Sequence, residues 1–366
     1  MEKTSQPNRL KRALQWLVLI VVAVGLGLAV SLTPLPFVIY SPGPTFDVLG
    51  DQDGQPLIEI RGSDEPAEGE LRMVTVSEEG GPGTTVTAPM LLRAWRTPGY
   101  SISRYSDVYP DDVTSEDMEA VSSAQMESSH STAAVAALEY LGYRLPTVIT
   151  VVGIAEDSGA AGKIEVGDQL VSIETPDGTV YPMKSPSAPF RLLRDVPAGT
   201  ELQVTVERGG RDRTESVITT EDPADPEQGS KLGVVLSFDI DMPVEINFHL
   251  ENVGGPSAGM MFALGIIDKI NGGTLVGDNV IAGTGAMHYD GTVEPIGGIE
   301  QKMYGAFRDG AEWFLAPTSN CDEVPGNYPD GLEVRAVGTL SEAVDAVQKI
   351  AAGRGDEVPT CESVVG

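Results

Sequence analysis

Ser257 stands in the string Gly254-Gly255-Pro256-Ser257-Ala258-Gly259, directly ahead of the apolar run Met260–Ile270. Small residues around a serine at a loop-to-helix turn let a carbonyl carbon come close. The first N–H groups of a helix then point at any oxyanion that forms. The chemistry suited to this arrangement is nucleophilic attack on an acyl group. Gly255–Gly259 also fits Gly-x-Ser-x-Gly, but its context differs from the elbow of the α/β-hydrolases. A tight packing turn would produce the same string.

A serine nucleophile needs a base. The chain has three histidines, His130, His249 and His288. His288 and Asp290 could be members of a triad, yet polar residues just before Gly291 read more simply as a turn. His249 alternates with apolar neighbours as a strand residue does, and scattered histidines give no zinc-ligand spacing. Lys302 is the better candidate. It follows Gly297-Gly298 on a helix whose apolar stripe is Ile299, Met303, Ala306 and Phe307. At the edge of that stripe, burial would lower its pKa and free the neutral amine to take the Ser257 proton. A surface lysine reaching into water fits the spacing equally well.

Several elements must position these residues. Val244–Phe248 reads as a strand before the serine turn, and residues 232–350 as the domain that carries it. In residues 35–145, Leu57–Ile60 and Leu71–Val76 read as strands divided by the acidic turn Gly62–Gly69. If these pair with the sheet of the serine domain, the unit between them is an insertion. Seven acids and no base lie between Ser106 and Ser129 (Asp107, Asp111, Asp112, Glu116, Asp117, Glu119 and Glu127), a solvated face leading into a helix that ends over Ala133–Leu141. Residues 146–220 form a distinct unit: the strand Val148–Val152, a short helix opening at the small-residue turn Ala155–Gly162, Val166-Gly167-Asp168 before an apolar strand, the helix Ala188–Leu193 and the strand Leu202–Val206. Gly162-Lys163 is no nucleotide loop, because Asp157 and Ile164 occupy positions that need glycine and Ser or Thr. A polar linker covers 221–231, and a tail covers 351–366.

The chain of 366 residues carries 54 acidic and 24 basic side chains, net −30. Such a body repels phosphate backbones, so no nucleic-acid partner is expected. Four bases, Lys3, Arg9, Lys11 and Arg12, crowd residues 1–12 ahead of a charge-free run from Ala13 to Leu32. A helix over 13–34 is long enough to span a bilayer, with the basic tail cytoplasmic and the body outside. A cleaved signal peptide is the other reading of this run. In an oxidising compartment Cys321 and Cys361 could pair, or remain two thiols, since sequence does not give their separation.

The unit at 146–220 resembles the PDZ domains of bacterial proteases, which capture a peptide carboxyl terminus as an added strand. The capturing loop, placed near Tyr143–Thr147, shows no clean glycine-hydrophobic signature. Gly255–Gly259, Gly291–Gly298 with Lys302 four residues on, Ala306-x-x-x-Gly310 and Pro317-x-x-Asn320 resemble, in order, the proteolytic domain of Lon proteases. With the anchor and the PDZ unit, the chain is similar to the YlbL-type, PDZ-containing Lon-like proteases. The resemblance implies an α+β fold with a mixed sheet and flanking helices, and a Ser257–Lys302 catalytic dyad without cofactor or metal. It implies a membrane-anchored serine endopeptidase acting on unfolded, flexible or small proteins, and a homo-oligomer by analogy. The chain contains no Walker sequence, so ATP-driven unfolding is not expected. Gly254 replaces a common Asp, Ala286 a common Glu, and His288 a common Thr that orients the lysine. Thr284 is a substitute for that role or a plain strand residue, and Glu251 and Asn252 line the site or only form its loop. The competing reading is a surface PDZ adaptor that binds peptides without cutting them.

Overall fold

A computed structural model of the chain describes residues 7–52, 54–63, 67–110, 113–221, 229–250 and 253–366, without the side chains of 7–10, 26, 28 and 30. Lys3, Asp111, Asp112, Glu251, Asn252 and residues 222–228 of the expected linker lie outside the described residues. Helix α1 (Pro7–Leu32) opens the described chain, and its large apolar side chains, such as Leu14, Trp16 and Leu19, are exposed. Among the described residues no helix is long and apolar enough to cross a membrane. The expected span at 13–34 is thus present as a helix but does not meet that criterion.

The first part of the body holds β1 (Phe37–Asp47), the small hairpin β2 (Asp51–Gln52) and β3 (Gln55–Pro56), β4 (Ile58–Ile60), β5 (Glu70–Glu79), α2 (Ala88–Arg96), β6 (Ser101–Arg104), α3 (Tyr105–Val108) and α4 (Ser115–Tyr140). The acidic run opens α4: Thr114 and Asp117 form a capping box, and Glu116 adds negative charge at the positive end of the helix dipole. Further along, α4 buries Met126, Ser129 and Thr132–Leu138. The described acids of the run, Asp107, Glu116, Asp117, Glu119 and Glu127, are exposed as a solvated face requires, and the packed side that begins at Met126 is built largely from small residues that allow close approach to a neighbouring helix.

The middle unit comprises β7 (Thr147–Ile154), β8 (Gln169–Glu174), β9 (Val180–Pro182), α5 (Ala188–Arg194), β10 (Glu201–Glu207), β11 (Asp212–Ile218) and β12 (Val234–Ile240). Its sheet runs β11-β10-β8-β7-β12, with β9 added to β8. Alternate residues such as Ile149, Val151, Leu202, Val204 and Val206 face its core. β12 pairs antiparallel with β7, from Val234 opposite Ile154 to Ile240 opposite Thr147. The expected boundary at 220 therefore moves to 240, the domain that carries Ser257 does not begin at 232, and the short helix expected at the Ala155–Gly162 turn is a run of turns.

The domain that carries Ser257 resumes with β13 (Ile246–Phe248), α6 (Gly259–Ile270), β14 (Val280–Gly283), β15 (Ala286–Met287), β16 (Val293–Glu294), α7 (Ile299–Arg308), β17 (Trp313–Pro317), β18 (Glu333–Val337), α8 (Leu340–Ala351) and α9 (Cys361–Val365). Its main sheet has the order β18-β17-β14-β5-β1-β6. β14 lies parallel to β5 on one side and to β17 on the other, while β13 pairs antiparallel with β4. Strands from both sides of residues 147–240 thus share sheets, which makes the middle unit an insertion in one mixed α+β domain. One core gathers α6, α4 and α8, and α7 belongs to a second with β17 and β18. α6 is buried from Gly259 to Asp268, as a helix apolar all round must be. A disulfide joins the buried Cys321 and Cys361 and ties α9 down.

Candidate active site

Ser257 is half-buried two residues before α6 begins. Its turn is braced by α4: Gly255 N–H donates to Ser122 O at 3.1 Å, and the Ser129 hydroxyl donates to Pro256 O at 3.1 Å. This approach explains the glycine at 254, where an added Cβ would fall 1.7 Å from Ser122 Oγ. The Ser257 carbonyl accepts the Thr284 hydroxyl at 3.0 Å and the Gly285 N–H at 2.9 Å. Among the described residues, the N–H groups of Ser257 and Ala258 donate to no protein acceptor. Two amides next to the hydroxyl thus stay available for an oxyanion.

Lys302 arrives on α7. The cap of that helix, Gly298, has φ 71°, a left-handed conformation in which a Cβ would also lie 2.8 Å from Val76 Cγ2. The buried Asn320 fixes the preceding loop by accepting Ile296 N–H and donating to Ile296 O, each at 2.9 Å. Held this way, Lys302 is 3% exposed. Among the described residues its ammonium makes one side-chain hydrogen bond, donating to Thr284 Oγ1 at 3.0 Å. Among the described residues no carboxylate pairs with that charge, and burial pushes the pKa down to about 7. Much of the amine is therefore neutral near pH 7, the form that accepts a proton.

The structure thus brings Ser257 and Lys302 to the two sides of Thr284. That residue, left open between a lysine partner and a strand residue, is the lysine partner. The histidines go elsewhere. His288 and Asp290 belong to the turn between β15 and β16, in which His288 N–H donates to Thr292 O. His249 lies 3.0 Å from Glu59 Oε2. His130 stacks on Phe248 with ring centroids 4.0 Å apart, and burial lowers its pKa to about 4. Among the described residues no cluster of three or more His, Cys, Asp or Glu could hold a metal ion. Lys163 spends its ammonium on Ser216 O at 2.6 Å. Sequence reasoning missed the bracing role of Ser129; the signal for it was the run of small residues through the centre of α4.

Residues 246–350 match the family model of the Lon protease (S16) C-terminal proteolytic domain. Lon protease 1 of Sorangium cellulosum is 40% identical over 93 residues, 25% of this chain and 11% of that protein. Lon protease 2 of Bacillus subtilis is 35% identical over 108 residues, 29% of this chain and 19% of that protein. The chain therefore spans less than a fifth of the length of either relative. Both matches support a serine peptidase. Among solved structures, the PDZ domain of an SdrC-like protein from Listeria innocua is 21% identical with a TM-score of 0.21, covering 24% of this chain and 92% of that one.

Proposed function

We propose that the protein is a serine endopeptidase in which Ser257 attacks the peptide carbonyl and Lys302 moves the proton. The neutral amine removes the hydroxyl proton as the C–O bond forms, and the amides of Ser257 and Ala258 receive the oxyanion. The ammonium then returns that proton to the leaving amine. Water repeats the cycle on the acyl-enzyme and releases a carboxylic acid. The observation that carries this reading is the buried lysine, bonded through Thr284 to the backbone of Ser257. A serine–lysine pair not yet in direct contact is usual for a site without substrate.

The finer parts of the reading belong to the same proposal. α1 is a membrane anchor with the body extracytoplasmic, a reading supported by its charge-free run from Ala13 to Leu32, its exposed apolar side chains and the Cys321–Cys361 disulfide of an oxidising compartment. The 147–240 unit recruits substrates as a PDZ-type docking module, a reading supported by its five-strand path flanked by α5. Cleavage proceeds without ATP on unfolded, flexible or small proteins, in the manner of a YlbL-type Lon-like protease.

The test is cleavage of casein by the full chain, with and without ATP, beside Ser257→Ala and Lys302→Ala. Wild type alone should cleave, indifferent to ATP, each variant losing about 10³-fold or more. Its kcat should rise as pH increases through about 7, as Lys302 loses its proton. Cleavage that survives Ser257→Ala removes the assigned nucleophile; peptide binding without cleavage by any form replaces the enzyme with an adaptor.

A further inference from the structure

The inserted unit meets the proteolytic half along α5. Arg194 pairs with Asp290 at 3.0 Å, and Arg191 with Glu139 of α4 at 2.9 Å. The same contact holds a cluster of rings. Phe190 of α5 and Tyr289 have centroids 5.7 Å apart and planes within 16°, and Tyr289 lies 4.8 Å from Phe238 of β12. Tyr289 and Asp290 sit on the turn that closes the hairpin of β15 and β16.

β12 pairs with β7 on one side and with no strand on the other, among the described residues. α5 runs beside it in the opposite sense. Ser230 N–H, just before the strand, donates to Leu193 O near the end of α5, while Phe190 near its start lies 5.9 Å from Phe238. The amides of Leu232 and Gly233, at the head of β12, donate to no group among the described residues. An open strand edge, the Phe190 ring of α5 beside it and unused amides at one end form a slot for an extended peptide with its terminal carboxylate on those amides. The slot is not near Tyr143–Thr147, because β7 is paired on both edges.

We propose that Tyr289 is a tethered competitor for this slot, so that an apolar peptide carboxyl terminus docking there unseats the turn at 288–292. The inference rests on the reading of residues 147–240 as a peptide-docking module. Its consequence reaches the dyad, because Thr284 and Gly285, which hold Lys302 and Ser257, lead directly into β15. A filled slot and a seated hairpin exclude each other, and by linkage each weakens the other. Every endoproteolytic cut creates a fragment with a new α-carboxylate, so products of the proposed reaction belong to the ligand class. Docked product loosens the hairpin, and turnover falls.

The experiment uses the full chain in detergent, carrying Ser257→Ala so that the probe stays intact. The probe is a short fluorescein-labelled peptide ending in valine with a free carboxylate, beside its amidated twin. Adding Tyr289→Ala should tighten binding of the acid peptide about tenfold, as removal of a competing state does. Arg194→Ala, which leaves the ring cluster intact, should tighten it less. The amide should bind weakly to all forms. In the Ser257→Ala background the acid peptide should raise hydrogen exchange across residues 285–294. Equal affinity in all three backgrounds with unchanged exchange would overturn the competition while leaving the docking module standing. Absence of binding in every background would remove the docking module and the competition together.

Discussion

The inserted unit and the proteolytic half each bury an ionisable side chain, and they treat it in opposite ways. Asp168, 1% exposed, accepts Nε and Nη2 of Arg208 at 2.7 Å each and the Glu165 N–H at 2.8 Å. Those hydrogen bonds from Arg208 hold its carboxyl below the usual carboxylate range. Lys302 is as deeply buried and, among the described residues, is offered only the Thr284 hydroxyl, so burial lowers its pKa. The aspartate ties the start of β8 to the β10–β11 hairpin as a compensated charge. The lysine is uncompensated, a destabilising feature of the kind that accompanies chemistry.

The contrast breaks most sharply under substitution of the two residues. Lys302→Met keeps the volume and removes the buried amine, and should stabilise the protein by about 4–5 kcal/mol at pH 6. The unfolded lysine holds its proton up to about 10.5, whereas the folded one releases it near 7. Between those values the unfolded chain binds more protons, wild-type stability rises with pH, and the advantage of the variant shrinks. Asp168→Ala should act with the opposite sign, costing about 1–2 kcal/mol, because the Arg208 guanidinium left behind is only partly wet. The folded pKa of Asp168 is lowered, so its contribution is present above the unfolded value of 3.8 and is lost as pH falls through the folded one. Urea unfolding of both variants at pH 6 and pH 9 reads these signs. A destabilised Lys302→Met would mean that the amine is not a burden on the fold.

The second difference is covalent. The proteolytic half carries the Cys321–Cys361 bridge across a separation of 40 residues, and the inserted unit contains no cysteine. Closing a loop of that length restricts the unfolded chain, so Cys361→Ser should cost about 2–3 kcal/mol. The loss should appear in the unfolding of the proteolytic half, with the inserted unit unaffected. Thermal unfolding followed by hydrogen exchange separates the two. Equal weakening of both would show that the halves unfold as one cooperative unit.

The parts legible in the sequence were those whose backbone demands are local. The Gly-Gly-Pro-Ser-Ala-Gly turn, the apolar run of α6 and the Gly-Gly start of α7 each state their conformation within a few residues, so Ser257 and Lys302 could be singled out as candidates. The insertion was readable from the strand character of residues 57–76, but its far boundary was not. Val234–Ile240 would suit either sheet, and its pairing with β7 is a contact across eighty residues of chain. The packed side of α4 was hidden because Ser122, Ser129, Thr132 and Ala133 follow no apolar period. Their packing comes from small volume rather than from hydrophobic pattern. The Asn320 clamp is likewise long-range, with nothing near it to announce its partner, and the Thr284 contact was legible only through the resemblance, as one of two readings.

The smallest effect belongs to Ser129, which couples a packing helix to the turn that carries the proposed nucleophile Ser257. Its buried hydroxyl donates to Pro256 O, a carbonyl that otherwise receives Gly259 N–H at 3.4 Å. Ser129→Ala removes the shorter contact and leaves the longer, so stability should fall by only about 1 kcal/mol. The Ser257 turn then rests on Gly255 and Thr284, and in the proposed mechanism Ser257 loses its fixed approach to the carbonyl carbon. Small displacements of a reacting atom cost rate more than binding, so kcat on casein should fall about tenfold with KM unchanged. A merely structural serine would lower stability by the same amount and leave kcat alone. That outcome would assign the turn to the proteolytic sheet and α6, and reduce α4 to a packing helix.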